Sequence, residues 1–331
     1  MFYGVRKKWY FLLENIVTIS KLINDFTGLT NNYEFNYYSK QNNLTFEDVY
    51  LLAREIIESI DKNYLIYYDK ILENGQLDFC YENINLGSNF FYNLETGERA
   101  INLNRNFNYT DICALVHEFI HYMNCLDNKL SINRYLLTEF ISIYFEEYAK
   151  KYLLNKGISK EELFLNERII YTKKSAASFN WYSLIILSYE KSGLIDENTF
   201  LFLKNNYVDV SKDDFEEECQ KLLSQFEQVE KEYKIKIMYE KNFDEGEMFE
   251  EMVKILNINY RYVLGTILSY YALEHSSLEK MVYLCNHIND EKYAKMSLSS
   301  LLKIIDINLD DINLDIVEKK IIENSTKKMN K

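Results

Sequence analysis

Not one of the 331 residues is proline. Proline is the usual interruption of a helix, because it lacks the N–H that the ladder needs and its ring clashes with the preceding turn. A chain without it, punctuated by only nine glycines, can run helix after helix, and the expected fold class is mainly α. The length allows one large core or two smaller ones. No Ser/Gly-rich linker or internal repeat divides the chain, so residues 1–331 are expected to form a single domain. Its parts are N-terminal helices (1–72), a small sheet with the following two helices (76–157), and a C-terminal helical lobe (158–331).

The helical pattern gives way in one place. Leu77-Asp78-Phe79-Cys80-Tyr81 alternates, Asn89 to Leu94 is aromatic-rich, and Glu95-Thr96-Gly97-Glu98 supplies a turn before Ala100 to Asn104. This predicts a small antiparallel sheet with a hairpin at Gly97. Before it, a helix is expected over residues 5–26, a loop over 27–44, and a helix from Thr45, capped by a Thr45/Asp48 box, to about Leu72. After it, Tyr109 to Asp111 opens a helix capped by Thr110 or Asn108, and Ser131 caps another over Ile132 to Asn155, closed by Gly157. Beyond Gly157 helices are expected over Lys160–Lys173, Ser175–Lys191, Glu197–Asn206, Asp213–Tyr239, Glu245–Leu256 and Tyr260–Glu274. Three shorter ones follow, then a frayed polar end from Ser325.

The formal net charge of −13 argues against nucleic acid or an anionic membrane as a main partner, since both attract basic surfaces. The acidic run Asp213 to Glu218 reads as a solvated helix start. Cys80, Cys113, Cys125, Cys219 and Cys285 are odd in number and widely spaced, so neither a disulfide framework nor a cysteine metal site is expected. Reduced thiols in a cytoplasmic setting fit this usage. The first twenty residues carry Glu14 within their apolar run and do not read as a signal peptide. No apolar run reaches membrane-spanning length.

Of four histidines in the chain, two sit in His117-Glu118-Phe119-Ile120-His121. Residues four apart share a helix face, so both imidazoles can be offered to one zinc ion, with Glu118 placed as general base. Leu115, Val116, Phe119 and Ile120 make this a poor place for two histidines and a glutamate unless something binds them. His275 and His287 lack metal spacing. A third ligand is available in Glu139, 18 residues beyond His121, a separation that allows a turn and a second helix packed back on the first. The competing reading of Glu139 is a salt bridge to Arg134 or an exposed face.

Together these residues resemble the thimet oligopeptidase and oligoendopeptidase F group of zinc peptidases. Asn102-Leu103-Asn104, then Thr110-Asp111 leading into the His117–His121 motif, is similar to that family's strand and metal helix. Glu139, Ser142 and Glu146 match its glutamate-ligand helix, and Tyr260-Arg261-Tyr262-Val263-Leu264-Gly265 resembles its tyrosine-rich segment. The resemblance covers roughly residues 40–275 and implies a zincin-like (gluzincin) helical basin, with Zn2+ as cofactor and short peptides as substrates. It implies His117, His121 and Glu139 as ligands, Glu118 as base, and Glu146 and Asp111 as supports behind the ligands. Tyr260 or Tyr262 would donate to the oxyanion, and Asn102 and Asn104 would align the peptide along a strand edge.

The chain departs from the family in its shortened N-terminal lobe, in lacking a glycine-rich loop ahead of the tyrosines, and at Met252, where the family usually has a histidine. Two alternatives therefore stand beside an endopeptidase: an exopeptidase with the same ligands, and a non-catalytic interaction protein on a peptidase fold. Oligomeric state is not readable from the sequence.

Overall fold

The computed structural model describes residues 16–30, 32–34, 42–79, 88–93, 96–104, 106, 108–124, 132–163, 217, 224, 228, 260–288, 290–294, 296–324 and 327–328. It is mainly helical, with one three-stranded and one two-stranded sheet among these residues. Of the helices expected between Lys160 and Leu256, only the start of the first, a 3-10 turn at Lys160–Glu162, and the helical residues Glu217, Ser224 and Gln228 are described; the rest, the Ser131 cap and Met252 lie outside the described residues.

Helix α1 (Ile16–Thr30) ends later than its sequence pattern implied, and β1 (Tyr33–Glu34) follows it. Helix α2 (Phe46–Ile60) starts at the expected box: Asp48 N donates to Thr45 Oγ1 (3.1 Å) and Thr45 N to Asp48 Oδ2 (2.9 Å). The single helix expected to Leu72 is in fact two. Asp61 is extended (φ −157°), and its carboxylate accepts from Asn63 N (2.9 Å). It thereby caps a 3-10 turn (Lys62–Tyr64) that leads into α3 (Leu65–Glu73). An aspartate that satisfies exposed backbone donors is a better helix start than a helix interior.

Strands β3 (Asn89–Tyr92) and β4 (Arg99–Asn102) form the expected hairpin, with Tyr92 opposite Arg99. Gly97 takes φ +71° in the turn, a conformation that costs a residue without Cβ little. The sheet is nevertheless mixed. Strand β2 (Leu77–Asp78) pairs parallel with β4, Leu77 facing Ile101, which puts β4 in the middle in the order β2-β4-β3. A tight hairpin makes β3 and β4 antiparallel, and β2 takes the edge that remains.

Helix α4 (Thr110–Asn124) opens where expected, with Thr110 N and Oγ1 both donating to Asn108 Oδ1 (2.9 and 2.5 Å), so Asn108 is the cap. Helix α5 (Ile132–Asn155) ends at Gly157, whose φ of +92° lets Gly157 N reach Leu154 O (3.0 Å) and Ile158 N reach Leu153 O (3.1 Å). Helix α6 (Tyr260–His275) also lies where its pattern placed it. After it come α7 (Leu278–His287), α8 (Glu291–Ala294), α9 (Leu298–Lys303) and α10 (Leu314–Asn324), one helix more than expected. Strand β5 (Lys327–Lys328) pairs antiparallel with β1, so residues assigned to a frayed end and to a loop meet instead. Tyr33 Oη donates to Glu318 Oε1 (2.6 Å) and reinforces this closure.

The core runs along α5, which packs against both α4 and α6, while α4 packs on α2 and on β3 and β4. Phe119 is fully buried in edge contact with Tyr68 (5.2 Å) and Tyr64 (6.2 Å). On the sheet side, Tyr122 stands edge-on to Phe90 (6.0 Å) and beneath the Arg99 guanidinium (5.6 Å). These aromatic anchors each bury a large side chain and fix the rotation of α4. Among the described residues no helix is long and apolar enough to cross a membrane.

Candidate metal centre

With Phe119 held on the aromatic side, the 3.6-residue period turns His117 and His121 toward α5. His117 Nε2 and His121 Nε2 are 3.1 Å apart. Glu139, on α5, spans the pair: its Oε2 is 3.6 Å from His117 Nε2 and its Oε1 is 3.6 Å from His121 Nε2. The three donor atoms lie within 4.8 Å of one another. Glu139 is 3% exposed and His117 6%.

Glu146 lies two turns along α5 from Glu139, and its Oε2 is 3.0 Å from His117 Nδ1. A carboxylate there favours the proton on Nδ1 and turns the Nε2 lone pair toward the cluster. Lys150 answers Glu146 (3.6 Å) and Glu147 from the next turn. Burial alone raises the Glu139 pKa, but the adjoining His121, His117 and Arg261 side chains outweigh it and hold the carboxyl well below the usual carboxylate range.

A metal ion fits these residues. Tetrahedral zinc with nitrogen and oxygen ligands at roughly 2.0–2.2 Å requires donor atoms about 3.3–3.6 Å apart; the two imidazole nitrogens stand 3.1 Å apart, and each has a different Glu139 oxygen at 3.6 Å. Glu139 Oε2 is buried and makes no hydrogen bond, an arrangement that is costly for a carboxylate oxygen with nothing to bind. Glu118 is one step round the helix, 7% exposed, and makes no hydrogen bond or ion pair with any described residue.

The remaining candidates separate. Asp111 is buried at the start of α4 and accepts from Asn106 N (2.9 and 3.2 Å), tying down the connection from β4. Tyr262 is half-buried, and its hydroxyl accepts from Arg261 NH2 (3.0 Å). The Tyr260 side chain lies outside the described residues, as does that of Arg134. Asn102 and Asn104 do not offer a strand edge. β4 is paired on both sides, Leu103 N donates to Asp78 O (2.8 Å), and Asn104 N donates to Ser88 Oγ (3.0 Å). Asn102 Nδ2 itself donates to Asn89 Oδ1 (3.1 Å). The main-chain groups expected to hold a peptide are used within the protein.

The residue that sequence reasoning missed is Arg261, whose NH2 lies 3.6 Å from Glu139 Oε1. A signal was present: Arg261 is the sole charged residue in α6 before Glu274. A lone arginine on a helix that buries Val263, Leu264, Ile267 and Leu268 calls for a carboxylate partner.

No family model matches the sequence, and no curated protein matches it. Two solved structures are similar to it. One is a Bacillus anthracis str. Ames protein assigned as an oligoendopeptidase F, at 13% identity and a TM-score of 0.45, covering 96% of this chain and 54% of its own. The other is PZ peptidase A with an inhibitor, at 11% identity and a TM-score of 0.45, covering 96% of this chain and 57% of its own. The chain thus spans little more than half the length of these two proteins.

Proposed function

We propose that this chain is a zinc-dependent peptidase acting on short peptides, with His117, His121 and Glu139 as metal ligands and Glu118 as general base. The observation that carries the reading is the convergence of two histidines and a buried carboxylate from two helices within 4.8 Å, beside a second carboxylate with no other described partner. A zinc ion in such a set supplies Lewis acidity, polarising a carbonyl and acidifying water.

The chain's own groups supply the rest. Glu118 takes the proton of the attacking water and returns it to the leaving amine, the two transfers expected of one carboxylate beside the reacting centre. Glu146 keeps His117 in the tautomer that presents Nε2. The Tyr262 phenol accepts from the Arg261 guanidinium, which polarises its O–H and makes it a stronger donor to a developing oxyanion. A mostly buried site keeps these interactions out of competition with bulk water.

The test is metal content together with turnover of a quenched peptide library, for the native chain and for Glu118→Gln. Stoichiometric zinc in both proteins, with turnover lost in the variant by about 100-fold or more, is the expected result. Zinc in both with turnover in neither identifies a non-catalytic protein on this fold, and equal turnover in both removes Glu118 from its role. End-blocked peptides in the same library separate endopeptidase from exopeptidase activity.

A further inference from the structure

Glu139 is an anion in a place that water barely reaches, and such a group is stable only with a compensating charge. Among the described residues Arg261 is the only lysine or arginine within ion-pair distance of it, NH2 to Oε1 at 3.6 Å. Lys150 is turned to Glu146 and Glu147 instead. Arg261 is also held in place. Its guanidinium lies 4.9 Å from the Tyr262 ring centre and donates to the Tyr262 hydroxyl. One turn on, Gly265 brings α6 against the backbone of Glu139 and Phe140, where an added Cβ would stand 3.0 Å from Phe140 N. Ser269 Oγ, a further turn along, donates to Phe140 O (2.9 Å). The spacing between Arg261 and Glu139 is therefore set by a helix contact rather than by two loose side chains.

We infer that Arg261 is a positioning residue that serves as the resident counter-charge of Glu139 in the metal-free chain, holding the carboxylate in its ligand position and competing with the incoming cation for it. This rests on the reading of the cluster as a metal site. The sign follows from linkage: whatever stabilises the metal-free form more than the loaded form weakens metal binding. In the metal-free chain the guanidinium compensates a buried negative charge. Once a dication shares that carboxylate, the same guanidinium also repels the ion, and its net contribution falls. An ordinary supporting residue acts in the opposite sense, since its loss typically weakens metal binding by roughly 10–100-fold.

The experiment uses the full chain stripped of metal, titrated with zinc against a chromophoric chelator and melted with and without zinc. Arg261→Gln removes the charge and keeps a donor for Tyr262, while Arg261→Lys keeps the charge. The metal-free Arg261→Gln protein is expected to melt below the wild type, with the gap narrowed by zinc and a zinc affinity about tenfold tighter. Arg261→Lys should stay near the wild type in both measurements. An Arg261→Gln affinity equal to or weaker than the wild type overturns the proposal, because a structural or merely orienting role predicts that outcome. Should Arg261→Gln fail to fold, the double variant with Glu139→Gln, which removes both charges, is expected to fold; a double variant equally unfolded overturns the proposal. A wild-type chain that binds no zinc overturns the functional reading itself, and this inference with it.

Discussion

Gly265→Ala is a sharp test of how the site is assembled, because two opposing terms decide its sign. In a helix interior alanine is favoured over glycine by about 0.8–1 kcal/mol. Against that, the new Cβ would stand 3.0 Å from Phe140 N, 3.1 Å from Ile143 Cδ1 and 3.2 Å from Glu139 C, whereas ordinary contact begins at 3.4 Å. The Ile143 methyl can rotate away, but the two backbone atoms belong to the middle of α5 and cannot. Helix α6 must then retreat by about 0.4 Å, which stretches the Ser269 Oγ to Phe140 O bond from 2.9 Å. Overpacking of this kind costs about 1–3 kcal/mol, so the net expectation is a loss of about 1 kcal/mol, or about 2 °C in Tm for a chain of this size. Zinc affinity should fall with it, since one of the contacted atoms is Glu139's own carbonyl carbon. Thermal melting and chelator competition measure both quantities. A Gly265→Ala protein stabilised by about 1 kcal/mol, the value expected from helix propensity alone, would refute the close packing of α6 on α5.

Three further outcomes are expected. Glu146→Gln should weaken zinc binding by roughly 10–100-fold while leaving the fold intact, because His117 loses the charge that fixes its tautomer; chelator competition and circular dichroism check it. Hydrogen bonds from Arg54 (2.8 and 2.9 Å) hold the Asp69 carboxyl below its ordinary range. That contribution is present above the unfolded aspartate value of about 3.9 and is lost as pH falls through the depressed folded value. Asp69→Asn should therefore lower stability near neutral pH by at most about 1 kcal/mol for so exposed a pair, with the difference vanishing in acid, as urea melts across pH 2–6 would show. Cys285 is buried, its Sγ donates to Asn124 Oδ1 (3.4 Å), and burial pushes its thiol up to about 12. It should resist iodoacetamide in the native chain and react once denatured, which peptide mapping by mass spectrometry reads directly.

What could be read from the sequence was what a few neighbouring residues decide among themselves. The Thr45/Asp48 box, the Gly97 turn, the Gly157 terminator and the His117–His121 face each depend on backbone groups or side chains within four residues of one another, and each is found where it was expected. The break at Asp61 is also local, but an aspartate between two apolar-periodic stretches fits a helix interior as well as a cap. The pairing of β1 with β5 joins Tyr33 to Lys328, and no local pattern announces a two-residue strand formed across nearly the whole chain. Glu139 lies between these cases. Its distance from His121 permitted the contact, but only the packing of α5 on α4 brings the carboxylate to both histidines.

The strand beside α4 shows why a correct element assignment can still mislead about function. Asn102 to Asn104 were expected to bind a peptide because a strand end next to a metal site has main-chain groups to offer, and that inference holds only for a strand at a sheet edge. Whether β4 is an edge depends on where β2 goes, and β2 contributes just Leu77 and Asp78 to the ladder. Two residues of parallel pairing, with Ile101 N donating to Gln76 O (2.7 Å) and Leu103 N to Asp78 O (2.8 Å), are enough to consume the donors that face that side. Among the described strands of this sheet the outer positions belong to β2 and β3, not to β4. Substitutions at Asn102 or Asn104 should then act on the hairpin, through the Asn102 to Asn89 and Asn104 to Ser88 bonds, and alter stability before they alter any preference among peptides.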